Sequence, residues 1–127
     1  MGLRRILGAV AAVVLIALPA LAADLTGQWK AEFDTPIGVQ KYTYEFKVDG
    51  EKLTGPASAE VMGEKRTVEL KEGRIAGDQI SFVEMLDMQG QQIRIDYKGQ
   101  VVGDEIKLTR NVGDFGTEQL VAKRVKP

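Results

Sequence analysis

Glu84, Arg66 and Arg110 are ionisable groups on or near the inward side of alternating segments, and with Tyr42, Tyr44 and Tyr97 they are the side chains placed to do chemistry away from water. An inward carboxylate can serve glycoside hydrolysis when a second carboxylate faces it about 5 to 10 Å away. Glu45 and Asp96 are the candidates for that partner, yet both fall on the solvent parity of their segments. Glu84 is therefore a weak candidate and the catalytic set is otherwise empty. Strict alternation puts Glu84 beside Ile80, Phe82 and Leu86, whereas a β-bulge after Phe82 would turn it to water. The bulge is the preferred reading. Arg66 and Arg110, with Tyr42, Tyr44, Tyr97 and Glu84, form the ligand-binding set, because clustered guanidinium groups would pair with Glu84 or hold an anionic ligand group. The bland account of the arginines has them at strand ends with their heads in solvent.

Other chemistries are excluded by composition. The chain of 127 residues has no His and no Cys, which removes imidazole bases, Ser-His-Asp triads, thiolate nucleophiles and zinc sites built on those ligands. Its Asp residues stand singly at turns rather than in a calcium loop, so no metal and no cofactor is expected. Asp114-Phe115-Gly116 repeats a kinase tripeptide without any other kinase element and reads as a turn. Charges of both signs alternate along the segments without a basic stripe, so no nucleic-acid partner is expected.

What must position these residues is a series of strands. GRIAGDQISF (73–82) and GQVVGDEIKL (99–108) share one pattern, in which an apolar run meets Gly77-Asp78 or Gly103-Asp104 and alternation then resumes. Such pairs suit tight hairpins, since Gly adopts positive φ cheaply. VDGEKLTG (48–55) is a looser copy with its turn expected at Asp49-Gly50. Period-two alternation is cleanest in Leu25–Phe33, Tyr42–Val48 and Ile93–Val101. The pattern predicts an all-β fold of about eight antiparallel strands with short links, most simply an up-and-down barrel, with a two-sheet β-sandwich as the alternative.

Arg4-Arg5, the apolar stretch Ile6–Leu18 and Ala20-Leu21-Ala22 read as a signal peptide over 1–22, leaving a single barrel domain over 23–127. Export to the periplasm or medium is expected, with no membrane attachment after the leader is removed. Without Arg4 and Arg5, 15 Lys+Arg face 18 Asp+Glu, a net charge of about −3 on the mature domain. In the absence of Cys, stability must come from apolar packing and the sheet ladder.

Leu25-Thr26-Gly27-Gln28-Trp29, with Lys123-Arg124 near the other end, resembles the calycin arrangement of lipocalins and avidins. That resemblance implies a barrel whose floor is closed by Trp29 under a basic side chain, Arg124, in a cation–π contact. GQWKAEFDTPIGVQKYTYEF and RNVGDFGTEQLVAKR are also similar to little-characterised small exported bacterial proteins found alone or beside secreted carbohydrate-active enzymes. The resulting expectation is a non-catalytic binding or accessory domain that takes a small apolar or amphipathic ligand. The alternatives are a xylanase-like or other carbohydrate-active protein or its accessory module, and a structural envelope protein without ligand. Partners are a small molecule or a carbohydrate. Sugar recognition wants exposed flat aromatics, and only Phe115 falls outside the inward set.

Overall fold

The computed structural model describes residues 24–126, so the proposed leader lies outside the described residues. Ten strands follow in order: β1 (Gly27–Thr35), β2 (Gly38–Asp49), β3 (Lys52–Thr54), β4 (Pro56–Val61), β5 (Glu64–Glu69), β6 (Lys71–Ala76), β7 (Gln79–Met88), β8 (Gln91–Val102), β9 (Glu105–Val112) and β10 (Gly116–Arg124). No helix occurs among the described residues. Every ladder is antiparallel, and β1 pairs with both β2 and β10. From β10 the sheet continues through β9, β8, β7, β6 and β3 back to β2, which closes a barrel. The sandwich alternative is thereby set aside.

β3 with β4, and β5 with β6, are each one run broken by a kink, so the ten strands make an eight-run up-and-down meander with β4 and β5 as its extra strands. The first kink is at Gly55. A Cβ there would lie 1.8 Å from the Glu45 carbonyl oxygen, and its φ is +137°. The second follows Leu70, whose N–H donates to the Gly55 carbonyl at 2.9 Å. A register shift between Lys71 and Arg74 adds a bulge on β6.

The turns alternate between two chemistries. Gly50, Gly77 and Gly103 have φ of 62°, 63° and 64°, so the looser copy of the repeat turns at Gly50-Glu51, one residue beyond the expected Asp49-Gly50. Met62-Gly63 and Gln89-Gly90, with positive φ at both positions, sit at the opposite end and suit the twist of hairpin strands. Alternation then sorts the side chains. Trp29, Tyr44, Phe82, Tyr97, Ile106 and Leu108 are all 2% exposed or less, while their sequence neighbours Lys30, Glu45, Lys98 and Lys107 face solvent.

Two stretches of the wall are not ladders among the described residues: β1 pairs with β10 only at Trp29–Arg124 and Lys30–Lys123, and the other stretch, a seam, lies along β7. β6 pairs with β7 as far as Lys71 opposite Val83, and beyond that point β5 and β7 share no backbone pairing among the described residues. The Arg66 guanidinium bridges the seam instead, donating from Nη1 to the Asp87 carbonyl at 2.9 Å.

Candidate functional site

Glu84 is the first residue of β7 beyond the last pairing with β6, and it points inward. The ladder between β7 and β8 is in continuous register from Gln79 opposite Gln100 to Met88 opposite Gln91. The bulge expected after Phe82 is therefore absent; the irregularity lies on β6, and Glu84 is 1% exposed. Both carboxylate oxygens are engaged: the Tyr42 hydroxyl donates to Oε2 at 2.8 Å and the Tyr97 hydroxyl to Oε1 at 2.7 Å. Tyr42 is on β2 and Tyr97 on β8, so this one carboxylate ties distant walls together through the barrel interior.

The Tyr97 oxygen is a junction. While donating to Glu84 it accepts from Tyr44 at 3.3 Å and from Arg110 Nη1 at 3.1 Å, which uses one donor and two acceptor sites of a phenol. Arg110 and Tyr97 are cross-strand neighbours, as are Arg110 and Glu118. Arg110 Nε donates to Glu118 at 2.7 Å and Nη2 to the Gln40 side-chain oxygen at 3.0 Å. Its guanidinium carbon lies 4.7 Å from the Phe33 ring centre and 5.3 Å from that of Tyr42, within cation–π range. Only 3% of Arg110 is exposed, so the solvent-facing account fails for this arginine. Arg66, half-buried, is spent on the seam, and Arg124 lies at the other end of the barrel.

Burial pushes the Tyr42 hydroxyl pKa up, and the Glu84 carboxylate adds to the rise. Tyr44 and Tyr97 stand well above the ordinary phenol value for the same first reason, loss of water around a charge that would form there. Burial opposes the charge on Arg110, but Tyr97, Tyr42 and Glu118 favour it, and its pKa lies above the ordinary value. The cluster thus has neutral phenols between Glu84 and Arg110, which reach each other through Tyr97. Among the described residues Glu118 is the ion-pair partner of Arg110.

The carboxylates named as partners for Glu84 are not brought to it. Glu45 is exposed on the outer face, and Asp96 accepts from Arg94 Nε at 3.1 Å on that same face. Gln40 and Glu118 are members of the cluster that sequence reasoning passed over. Both stand at inward parity, Gln40 with Tyr42 and Tyr44, Glu118 with Leu120 and Ala122, which was the available signal.

At the opposite end, Arg124 is the direct cross-strand partner of Trp29, with its guanidinium 4.4 Å from the indole centre. Its Nη2 donates to the Asp24 carbonyl at 2.7 Å and its Nη1 to the Thr26 carbonyl at 3.3 Å, while the indole N–H donates to the Leu25 carbonyl at 2.9 Å. The side chain therefore ties the end of the last strand to the segment that enters the first. No match to this chain is found among protein-family models, curated proteins or solved structures. Among the described residues no group of three or more carboxylates is arranged to hold a metal ion.

Proposed function

We propose that this protein is an exported, non-catalytic binding or accessory domain of calycin-like design that holds a small amphipathic ligand at the open seam of its barrel. The observation that carries this reading is the place of the charged cluster. A carboxylate and a guanidinium are buried without touching each other, Glu84 where β7 has lost its ladder to β6, and Arg110 against Phe33 and Glu118 where β1 and β10 are unpaired. Burying such groups costs several kcal/mol per ion before compensation, and apolar packing of similar volume is often as stable or more so. A barrel that served only as a wall would do as well with apolar side chains throughout the cluster, in place of the tyrosine hydroxyls as well as the charges. Polar recognition of a ligand head group beside Glu84 and Arg110, with its apolar part over Leu86 and Val68, gives the cluster a use. The stacking of Arg124 on Trp29 is in keeping with the calycin resemblance.

Hydrolysis of a glycoside is the poorer fit, because Glu84 faces phenols rather than a second carboxylate. A structural envelope role has one observation in its favour. The Phe82 and Tyr97 rings stack at 4.4 Å, Tyr42 on Tyr44 and Tyr44 on Phe46 each at 5.5 Å, which occupies much of the interior with side chains. Native mass spectrometry of the full chain purified from its own host separates the readings. A small molecule that stays bound under native conditions and is lost on denaturation supports the binding domain. A bare polypeptide mass, together with no change in the amide spectrum on adding a fatty acid or a long-chain amine, leaves the structural role standing.

A further inference from the structure

Away from the seam, the outer face of β10, β1, β2, β4 and β5 forms a concavity of about 630 Å³, and the register fixes what lies across it. Lys123 is opposite Lys30, Lys30 opposite Thr43, Thr43 opposite Ser58, and Ser58 opposite Thr67. One straight row therefore reads cation, cation, hydroxyl, hydroxyl, hydroxyl, and the Ser58 and Thr67 oxygens lie 3.0 Å apart within hydrogen-bond reach. Like charges set directly opposite each other weaken a sheet. Neither Lys30 nor Lys123 forms an ion pair among the described residues. The adjacent row runs Glu32, Lys41, Glu60, Lys65, where opposite charges alternate in the ordinary stabilising way. Lys123 has Glu105 opposite it on β9, whereas Lys30 has a lysine on one side and Thr43 on the other, and the two lysines occupy one corner of the concavity.

We propose that this face is a binding site for an acidic saccharide, with Lys30 and Lys123 converging on its carboxylate, sulfate or phosphate group and Thr43, Ser58 and Thr67 meeting its hydroxyls. Two ammonium groups on adjacent strands, roughly 4.8 Å apart at the backbone, can share one anion. The hydroxyls follow at the same strand spacing of roughly 5 Å, about the length of one sugar ring. Lys65 at the far edge offers a further cation to a longer chain. The surface is aromatic-poor, so recognition here rests on charge and hydroxyl contacts instead of ring stacking. Val121 is the exposed apolar side chain in the hollow.

The test is a titration of the intact domain followed by amide NMR, with a galacturonic acid hexamer as the acidic probe, a neutral cello-oligosaccharide of equal length, and inorganic phosphate. The acidic hexamer is expected to shift amides near residues 30, 43, 58 and 123 and leave those near Glu84 unmoved, which keeps this site separable from the one at the seam. A Lys30→Gln, Lys123→Gln double variant, with both changes on exposed positions and no like-charge pair created opposite Glu105, should bind the hexamer about tenfold more weakly or worse while melting as the parent does. A Glu32→Gln change in the neighbouring row should leave binding intact or tighten it. Equal response to the neutral sugar would overturn the role of the lysines. Inorganic phosphate giving the same shifts at the same concentration would reduce the face to a bare anion site, and no shift with any probe would sink the proposal.

Discussion

The Tyr97 hydroxyl donates a hydrogen bond to Glu84 at 2.7 Å and accepts one from Arg110 at 3.1 Å, so the buried side chains of Glu84 and Arg110 are joined through a single oxygen. Breaking either side leaves a polar group stranded where water has little access, and an unsatisfied buried group costs about 1 to 3 kcal/mol.

Glu84→Leu removes the acceptor for two phenols, Tyr42 and Tyr97. Urea unfolding should show a loss of about 2 to 5 kcal/mol, since both hydroxyls lose their partner. Glu84→Gln keeps one strong acceptor and should cost about 1 kcal/mol. A Leu variant as stable as the parent would show that the carboxylate contributes nothing net to the fold.

The chain has three tyrosines, and Tyr42, Tyr44 and Tyr97 are all buried with pKa values raised above the ordinary 10.0, burial being the first cause in each. A phenol whose folded pKa exceeds its unfolded pKa contributes stability that is fully present below the unfolded value and is lost as pH climbs from there toward the folded value. Phenolate absorbance should therefore stay flat through the pH at which free tyrosine ionises, then rise together with loss of the far-ultraviolet β signal. Ionisation of even one tyrosine near its ordinary pKa, with the fold intact, would contradict the closed cluster.

Arg124→Ala deletes the cation over Trp29 and two donors to backbone carbonyls. The cation–π contact alone is worth about 0.5 to 2 kcal/mol. Because Trp29 is the one tryptophan and is fully buried, its fluorescence reports this end of the barrel directly. Emission should shift to the red and the melting temperature fall, with Arg124→Lys recovering part of the loss. An unchanged spectrum in the Ala variant would mean that the guanidinium does not shield the indole.

Two glycines should separate sharply. At Gly55 a methyl group would collide with the Glu45 carbonyl, whereas at Gly50 nothing lies within 4 Å and the cost is backbone conformation alone. Gly50→Ala is expected to lose about 1 to 2 kcal/mol. Gly55→Ala should lose more than about 3 kcal/mol or fail to fold, because the kink that lets β4 follow β3 along β2 would have to open. Equal losses in chemical denaturation would mean that the kink tolerates a side chain.

The barrel and most of its interior were legible in the chain because the signals are local. Two-residue alternation separates Trp29, Tyr44 and Tyr97 from their neighbours, and Gly-Asp pairs mark hairpins whose first residue sits at positive φ. Inward parity for Glu84 and Arg110 was equally local. Whether those charges would be accepted inside was not, because that depends on acceptors and donors arriving from strands tens of residues away. Tyr42 reaches Glu84 across a sequence separation of 42, and Gln40 reaches Arg110 across 70. The kinks at Gly55 and Leu70, the bulge on β6 and the open seam likewise follow from how the runs must bend to close a circle, which a sliding window along the sequence does not contain.

The sequence alone settled which face is dry in most strands, β7 beyond Phe82 excepted, and where the chain reverses to within a residue, since those depend on neighbours one or two residues apart. Only the closed sheet decided that Glu84 stays inside with two phenols, that Arg110 is shared between Tyr97 and Glu118, and that Lys30 stands against Lys123. Each of these is a meeting of residues from different strands, fixed by the hairpin registers for Arg110 and by the pairing of the first strand with the last for Lys30.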